Sequence, residues 1–115
     1  MTFEEYQYHA ESTDVFTKTS PIDILEPAFM AKILGLSGEA GEVAEKFKKI
    51  IRDKNGKISE EDTEEIVKEL GDVLWYVALI ASYLGSDLNT VAQKNVNKLA
   101  DRHSRDMIQG SGDNR

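Results

Sequence analysis

The segment GEAGEVAE, residues 38–45, places three glutamates three residues apart: Glu39, Glu42 and Glu45. Residues at this spacing are neighbours on a helix surface, so these like charges repel one another. The repulsion is about 1 kcal/mol for two unit charges 4 Å apart in water, and several times larger near a protein surface. Either the three side chains spread into solvent, or the cluster holds a cation.

A second pair with the same spacing, Glu69 and Asp72, lies in the segment KELGDVLW. If the two helices that carry these pairs pack antiparallel, four carboxylates converge on a shared rim. Mg²⁺ binds oxygen ligands of this kind, and two cations could polarise a phosphoryl oxygen and activate a water. The alternative is a solvated acidic face, since the chain contains 21 acidic residues.

The elements that must position these pairs are helical, and the fold class predicted is all-α. Each predicted helix carries an apolar stripe with a period near 3.6 residues, and no segment clearly alternates with period two. Thr2 and Glu5 form a predicted capping box, and Ser59 caps the third helix. The four predicted helices run from Phe3 towards Thr17 and over residues 28–52, 60–84 and 88–106.

The predicted domain covers residues 1–106, and the small, polar segment 107–115 is expected to be a frayed tail. Gly35, Gly38 and Gly41 lie on a side of the second helix away from its apolar stripe. Each glycine destabilises a helix interior by up to about 1 kcal/mol relative to alanine. Three of them indicate that another group approaches the backbone closely.

The fourth helix carries polar and basic residues at the edge of its apolar stripe. Asn95 falls within the stripe, where a buried amide needs partners, and Lys98 and Arg102 flank the same edge. One interpretation is that the two basic residues extend their charged ends into solvent along an amphipathic helix. The other is that they bind phosphate oxygens while Asn95 orients a substrate.

Composition excludes several classes of protein and of partner. The net charge of −7 argues against a nucleic-acid polymer or an anionic membrane as partner, and no apolar run could cross a bilayer. The chain has no cysteine and no signal-like start, so a cytoplasmic location is expected. A di-iron bundle is excluded because neither histidine follows a glutamate by three residues.

With these residues in view, the chain resembles the MazG-like nucleoside triphosphate pyrophosphohydrolases. The resemblance rests on GLSGEAGEVAEKFKK followed by KELGDVLWYVALIA, that is, Glu-x-x-Glu on one helix and Glu-x-x-Asp on the next. It implies Mg²⁺-dependent hydrolysis of a nucleoside triphosphate to the monophosphate and pyrophosphate, with Mn²⁺ as a substitute cation. It also implies a homodimer or homotetramer whose helices pack into an oligomeric bundle.

The resemblance assigns roles to individual side chains. Metal binding and catalysis fall to Glu39, Glu42, Glu69 and Asp72, one of the glutamates activating the attacking water, with Glu45 as a possible outer-shell group. Substrate binding falls to Tyr76, Asn95, Lys98 and Arg102, and Tyr6 and Gln7 are candidates for base contacts.

The chain departs from many relatives at its C-terminus, where RHSRDMIQGSGDNR replaces a motif such as RYP. Arg115 or the backbone of Gly110 and Gly112 could fold over the phosphates, although the frayed tail is the expectation. Two alternative functions stay open: an acidic helical dimerisation or adaptor domain without catalysis, and a narrower dUTP- or dCTP-specific hydrolase.

Overall fold

The computed structural model describes residues 1–16 and 23–115, and within these residues the chain forms four α-helices and no strand. The helices are α1 (Phe3–Ser12), α2 (Pro27–Lys54), α3 (Glu60–Tyr83) and α4 (Leu88–Ser104). The all-α prediction is confirmed, and the bounds of α2, α3 and α4 lie within two residues of those predicted. Among the described residues, no helix combines the length and the apolar character that a membrane span requires.

The first helix is shorter than predicted. It ends at Ser12, whereas the apolar pattern suggested that it continues towards Thr17, a residue outside the described part of the chain. The physical reason lies at Thr13, whose hydroxyl donates to the Ala10 carbonyl at 2.9 Å and accepts from the Trp75 indole at 2.8 Å. The first bond pairs a backbone carbonyl at the C-terminal end of α1. The second bond holds that end against α3.

A tight turn joins α2 to α3 and fixes them as an antiparallel hairpin. Asn55 and Gly56 both adopt left-handed backbone conformations, with φ of 53° and 76°, which ends α2 in the usual way. Ser59 is the predicted N-cap of α3, and it forms a capping box with Asp62. Hydrogen bonds from Lys54, and then from Ser59, lower the pKa of Asp62 to about 2. Asp62 therefore stabilises the turn twice, through the capping box with Ser59 and through the ion pair with Lys54.

The core lies where α1, α3 and the start of α4 meet, and Gln7 connects all three. Its side-chain amide donates to the Ala78 carbonyl at 2.7 Å and accepts from the Leu88 backbone N–H at 3.0 Å. The second bond satisfies a donor that the first turn of α4 cannot pair internally. Around it Ala10, Ala78, Leu79 and Leu88 are buried.

A buried lysine fixes the segment that follows α1 onto α2 and α3. The Lys32 ammonium lies 2.9 Å from the Asp14 carboxylate, and only 4% and 6% of these two side chains are exposed. Tyr83 donates to the other oxygen of Asp14 at 2.6 Å. Aromatic rings surround the ammonium at 4.6 to 5.7 Å from their centroids, those of Phe16, Trp75 and Tyr83. Such rings stabilise a desolvated cation.

Much of the predicted apolar stripe of α2 and α3 is exposed in the single chain. The exposed fractions are 45% for Phe47, 68% for Ile51, 59% for Val67 and 49% for Leu70. The radius of gyration is 17.0 Å, compared with about 13 Å for a compact domain of this length. The hairpin thus presents an apolar face, here called the hairpin stripe, that the described part of the chain leaves exposed.

The buried ion pair yields the first prediction. Replacing Lys32 with methionine should lower the free energy of unfolding by about 3–5 kcal/mol, because the Asp14 carboxylate then stays buried without its cation. Urea unfolding followed by circular dichroism measures this change. The matched control is Lys68→Met, which breaks a pair with Glu65 in which the lysine is 71% exposed. An equal loss in both variants would contradict the prediction.

The first prediction extends to low pH, because the same ion pair should make stability depend on pH in the acid range. Burial acts to raise the pKa of Asp14, but hydrogen bonds from Tyr83 and Lys32 outweigh it, and the pKa lies below its ordinary value. The contribution of the Asp14 carboxylate to the free energy of unfolding is therefore complete above its unfolded pKa of about 3.9. It is lost as the pH falls through the pKa of Asp14 in the folded protein. Asp14→Asn should flatten the decline of stability below about pH 4.

Candidate functional site

Three carboxylates from the two arms of the hairpin converge beside each other. One oxygen each of Glu39 on α2 and of Glu69 and Asp72 on α3 can be chosen so that all three lie within 4.8 Å of one another. The antiparallel packing of α2 on α3 brings the arms together, and the three-residue spacing puts both α3 carboxylates on one face. Glu39 and Glu69 are partly buried, while Asp72 is exposed.

The electrostatics of Glu39 reflect this crowding. Partial burial raises the pKa of its carboxyl, and the negative charges of Asp72, Glu69 and Glu42 raise it further, in that order. Glu42 is exposed and lies one turn further along α2, and it is not part of the group of three. A cation placed among these oxygens would relieve the repulsion that raises the pKa.

Lys46 is a charged neighbour of the site that the sequence reasoning missed. Its ammonium lies 3.8 Å from the Glu69 carboxylate, with both side chains partly exposed. Its position could have indicated this, because Lys46 follows Glu39 by seven residues and so lies two turns along the same face of α2. Lys46 brings a positive charge to a site otherwise made of acids.

Tyr76 packs onto α2 at Gly35, one turn before Glu39. A Cβ atom added at Gly35 would lie 2.2 Å from Cε1 of the Tyr76 ring, whereas Gly38 and Gly41 face open space. The Trp75 ring meets Tyr76 edge-on, with centroids 4.9 Å apart. Of the three glycines, Gly35 therefore has an observed role, since it leaves room for the Tyr76 ring against α2, one turn before Glu39.

The first helix contributes one side chain near the site. The Tyr6 hydroxyl lies 3.5 Å from the Gly71 carbonyl, and burial followed by the charge of Asp72 raises its pKa. Gln7, the other candidate for a base contact, is buried and uses its amide to join helices.

Glu45 bonds to lysines of its own helix. Its carboxylate lies 2.9 Å from Lys48 and 4.0 Å from Lys49, and the hydrogen bond from Lys48 is the main cause of its lowered pKa. Its role as an outer-shell group stays a prediction.

The residues predicted on α4 do not contact the carboxylates within the described chain. Asn95 is exposed, so its expected burial is wrong: the apolar residues beside it, such as Val96 at 58%, are exposed as well. Lys98 and Arg102 instead contact the C-terminal segment, through Asp113. The expectation of a frayed tail is also wrong, because the segment folds back onto α4.

Arg115 does not lie over the carboxylate cluster in the described structure. Its guanidinium donates to carbonyls of the tail itself, those of Met107, Ile108 and Gly112. Arg115 therefore has an observed role in folding the tail, and its suggested place over the phosphates stays a prediction.

Comparisons with known proteins are consistent with this geometry. The profile of the MazG nucleotide pyrophosphohydrolase domain matches residues 29–106, which include both carboxylate pairs. The Gene 37 protein of Mycobacterium phage L5 is 47% identical over 115 residues, an alignment that covers 100% of each chain. No solved structure matches the chain.

The contact between Gly35 and Tyr76 yields the second prediction. Gly35→Ala should displace the Tyr76 ring and destabilise the protein by about 1–3 kcal/mol, the usual effect of overpacking. Gly38→Ala, its matched control on the same helix, should instead stabilise by up to about 1 kcal/mol. Thermal unfolding measures both, and near-ultraviolet circular dichroism reports the Trp75–Tyr76 contact.

Repeating the substitution in a protein that lacks the Tyr76 ring separates the steric clash at Gly35 from other effects. In a Tyr76→Ala protein, Gly35→Ala should become neutral or stabilising because the obstructing ring is gone. The prediction fails if Gly35→Ala in the unmodified chain stabilises as much as Gly38→Ala does.

Proposed function

The chain belongs to the MazG nucleotide pyrophosphohydrolase family, and from this premise we propose that it hydrolyses a nucleoside triphosphate to the monophosphate and pyrophosphate. The observation that carries the proposal is the convergence of Glu39, Glu69 and Asp72 within 4.8 Å. A helical hairpin gains nothing in stability from three crowded carboxylates, whereas a phosphate-hydrolysing site needs a cation-binding cluster of this kind. Clearing non-canonical nucleotides or controlling the nucleotide pool would follow from such an activity.

The cluster fits a hard divalent cation. All its donors are carboxylate oxygens, the ligands that Mg²⁺ takes and that Mn²⁺ accepts as well. Glu39, Glu69 and Asp72 would hold the ion, with Glu42 one turn away as a further ligand. When bound there, the cation would stabilise negative charge on the phosphoryl oxygens.

The chain's own side chains supply the remaining functions. One glutamate of the cluster takes a proton from the attacking water, whose oxygen ends in one of the two products. Lys46, whose ammonium lies 3.8 Å from Glu69, is proposed to contact a phosphate oxygen. Tyr76, which packs at Gly35 and follows Asp72 by four residues, is proposed to stack on the base. Lys98, Arg102 and Asn95 are proposed to bind the substrate from α4.

We also propose that two or more copies associate through the hairpin stripe. An exposed apolar face of this extent is typical of a protein interface, and the radius of gyration exceeds that of a compact domain. A partner chain of the same sequence would supply the complementary stripe. The same face would serve an adaptor domain, so association alone does not separate the two functions.

The activity yields the third prediction. With Mg²⁺ or Mn²⁺, the protein should release pyrophosphate from at least one member of a panel of canonical and modified nucleoside triphosphates. Glu39→Gln and Asp72→Asn should each lower turnover more than about 100-fold, because loss of an outer-shell partner alone already lowers it about 10- to 100-fold. Pyrophosphate release measured at saturating nucleotide provides the readout.

Glu64→Gln is the matched control, since it removes the same charge from an exposed position of α3. It should retain full turnover. Mg²⁺ should raise the melting temperature of the unmodified protein and of the control, but not of the two cluster variants. The absence of turnover across the whole panel would favour the adaptor function, and turnover confined to dUTP or dCTP would establish the narrower hydrolase.

The proposed association yields the fourth prediction. Phe47→Glu and Val67→Glu each place a charge in the hairpin stripe and should shift the protein to monomers in light scattering after size-exclusion chromatography. Val15→Glu, at a position 90% exposed outside that stripe, should leave the oligomer intact. A monomeric unmodified protein at micromolar concentration would contradict the proposal.

A further inference from the structure

The C-terminal segment 107–115, here called the strap, is folded by its own last residue. The Arg115 guanidinium donates to the carbonyls of Met107 at 3.2 Å, Ile108 at 2.7 Å and Gly112 at 2.6 Å. Arg105, just beyond α4, donates to the main-chain oxygen of Arg115 at 2.6 Å. These bonds close the strap into a loop and attach its end to α4.

Two glycines allow the strap to take this path. Gly110 and Gly112 have φ of +116° and +87°, values that residues with side chains rarely adopt. A Cβ atom at Gly110 would also lie 3.4 Å from Cδ of Arg115. The sequence GSGDNR is thus suited to a defined loop, which composition alone does not reveal.

The folded strap places an anion on the basic edge of α4. The Asp113 carboxylate lies 3.2 Å from the Lys98 ammonium and 3.6 Å from the Arg102 guanidinium. Arg102 also donates to the main-chain carbonyls of Gly112 and Asp113. The Lys98 side chain is 38% exposed and Asp113 is 83% exposed, whereas Arg102 is 5% exposed beneath the strap.

The strap fits Arg102 incompletely. Only 5% of this side chain is exposed, yet its Nε–H has no hydrogen-bond partner among residues 1–16 and 23–115. A buried guanidinium donor without an acceptor is unfavourable. A phosphate group can accept from Nε and a terminal nitrogen together, in the two-pronged geometry that arginine favours. The basic edge is therefore better matched to a phosphate than to the strap that occupies it.

We propose that the strap is an internal anion mimic, which occupies Lys98 and Arg102 with the Asp113 carboxylate and is displaced when the phosphates of a ligand bind. The ligand class is a nucleoside polyphosphate or its pyrophosphate product, which share the same chemistry at these two cations. The strap is then an autoinhibitory contact built into the chain. This inference rests on the proposed role of Lys98 and Arg102 in phosphate binding.

The test is the binding of inorganic pyrophosphate, measured by calorimetry on the full chain without divalent cations. Three substitutions should open the strap, each with a different change in charge. Gly112→Ala strains the left-handed turn at constant charge, Asp113→Asn removes a negative charge, and Arg115→Ala removes a positive charge. All three should tighten pyrophosphate binding by about three- to fivefold, the range that releasing an exposed ion pair supports.

The direction of the change in pyrophosphate affinity in Arg115→Ala is the most discriminating result. Loss of a positive charge by itself weakens the binding of an anion, so tighter binding requires that the strap has opened. Ser111→Ala and Asp106→Asn are the matched controls for Gly112→Ala and Asp113→Asn, and both should bind pyrophosphate as the unmodified chain does. Lys98→Gln should abolish binding in the unmodified chain and in the Gly112→Ala variant.

Two results would overturn the proposal. One is weaker or unchanged binding in Gly112→Ala and Arg115→Ala; the other is unchanged binding in Lys98→Gln, which would place the anion elsewhere. Neither depends on turnover, since the assay contains no nucleotide and no metal. If the chain hydrolyses nucleotides but shows either result, the proposal for the strap is wrong and the proposed function stands. If the chain shows no turnover but the variants bind pyrophosphate as expected, the strap is a segment that responds to anions and the proposed function is wrong.

Discussion

Three carboxylates held within 4.8 Å of one another repel, and the hairpin of α2 and α3 has to resist that repulsion. The hairpin is fixed at its closed end by the Asn55–Gly56 turn and by the pair of Lys54 with Asp62. Near its open end, Tyr76 lies against Gly35. The carboxylates stand between these two anchors, so packing sets their separation while solvent and ligands can still reach Asp72.

The rest of the chain supports the open end of the hairpin. Trp75 contacts Tyr76 with its ring edge and donates to Thr13, while the Lys32–Asp14 pair binds the segment after α1 to the same region. Helix α1 therefore acts as a brace across α3, and Gln7 extends that brace to the start of α4. The hairpin stripe, by contrast, stays exposed. Under the association proposed above, a second copy would cover this stripe.

Much of the fold could be predicted because its signals are local. The caps at Thr2 and Ser59, the left-handed turn at Asn55–Gly56 and the apolar periods all act within a few residues, and the helices begin and end close to where these signals place them. The exception is the end of α1. There Trp75, more than sixty residues away, donates a hydrogen bond to the Thr13 hydroxyl and competes with the continuing helix.

The four helices, the two carboxylate pairs and the charges on α4 can be read from the sequence, because spacing along a helix fixes which face a residue occupies. Which of these faces meet depends on the packing of the helices. The tertiary structure brought Glu39 to Glu69 and Asp72, added Lys46, and assigned Gly35 to Tyr76. It also turned GSGDNR from an expected frayed end into a loop held by Arg115. These outcomes depend on contacts between distant or irregular segments, and no periodicity encodes them.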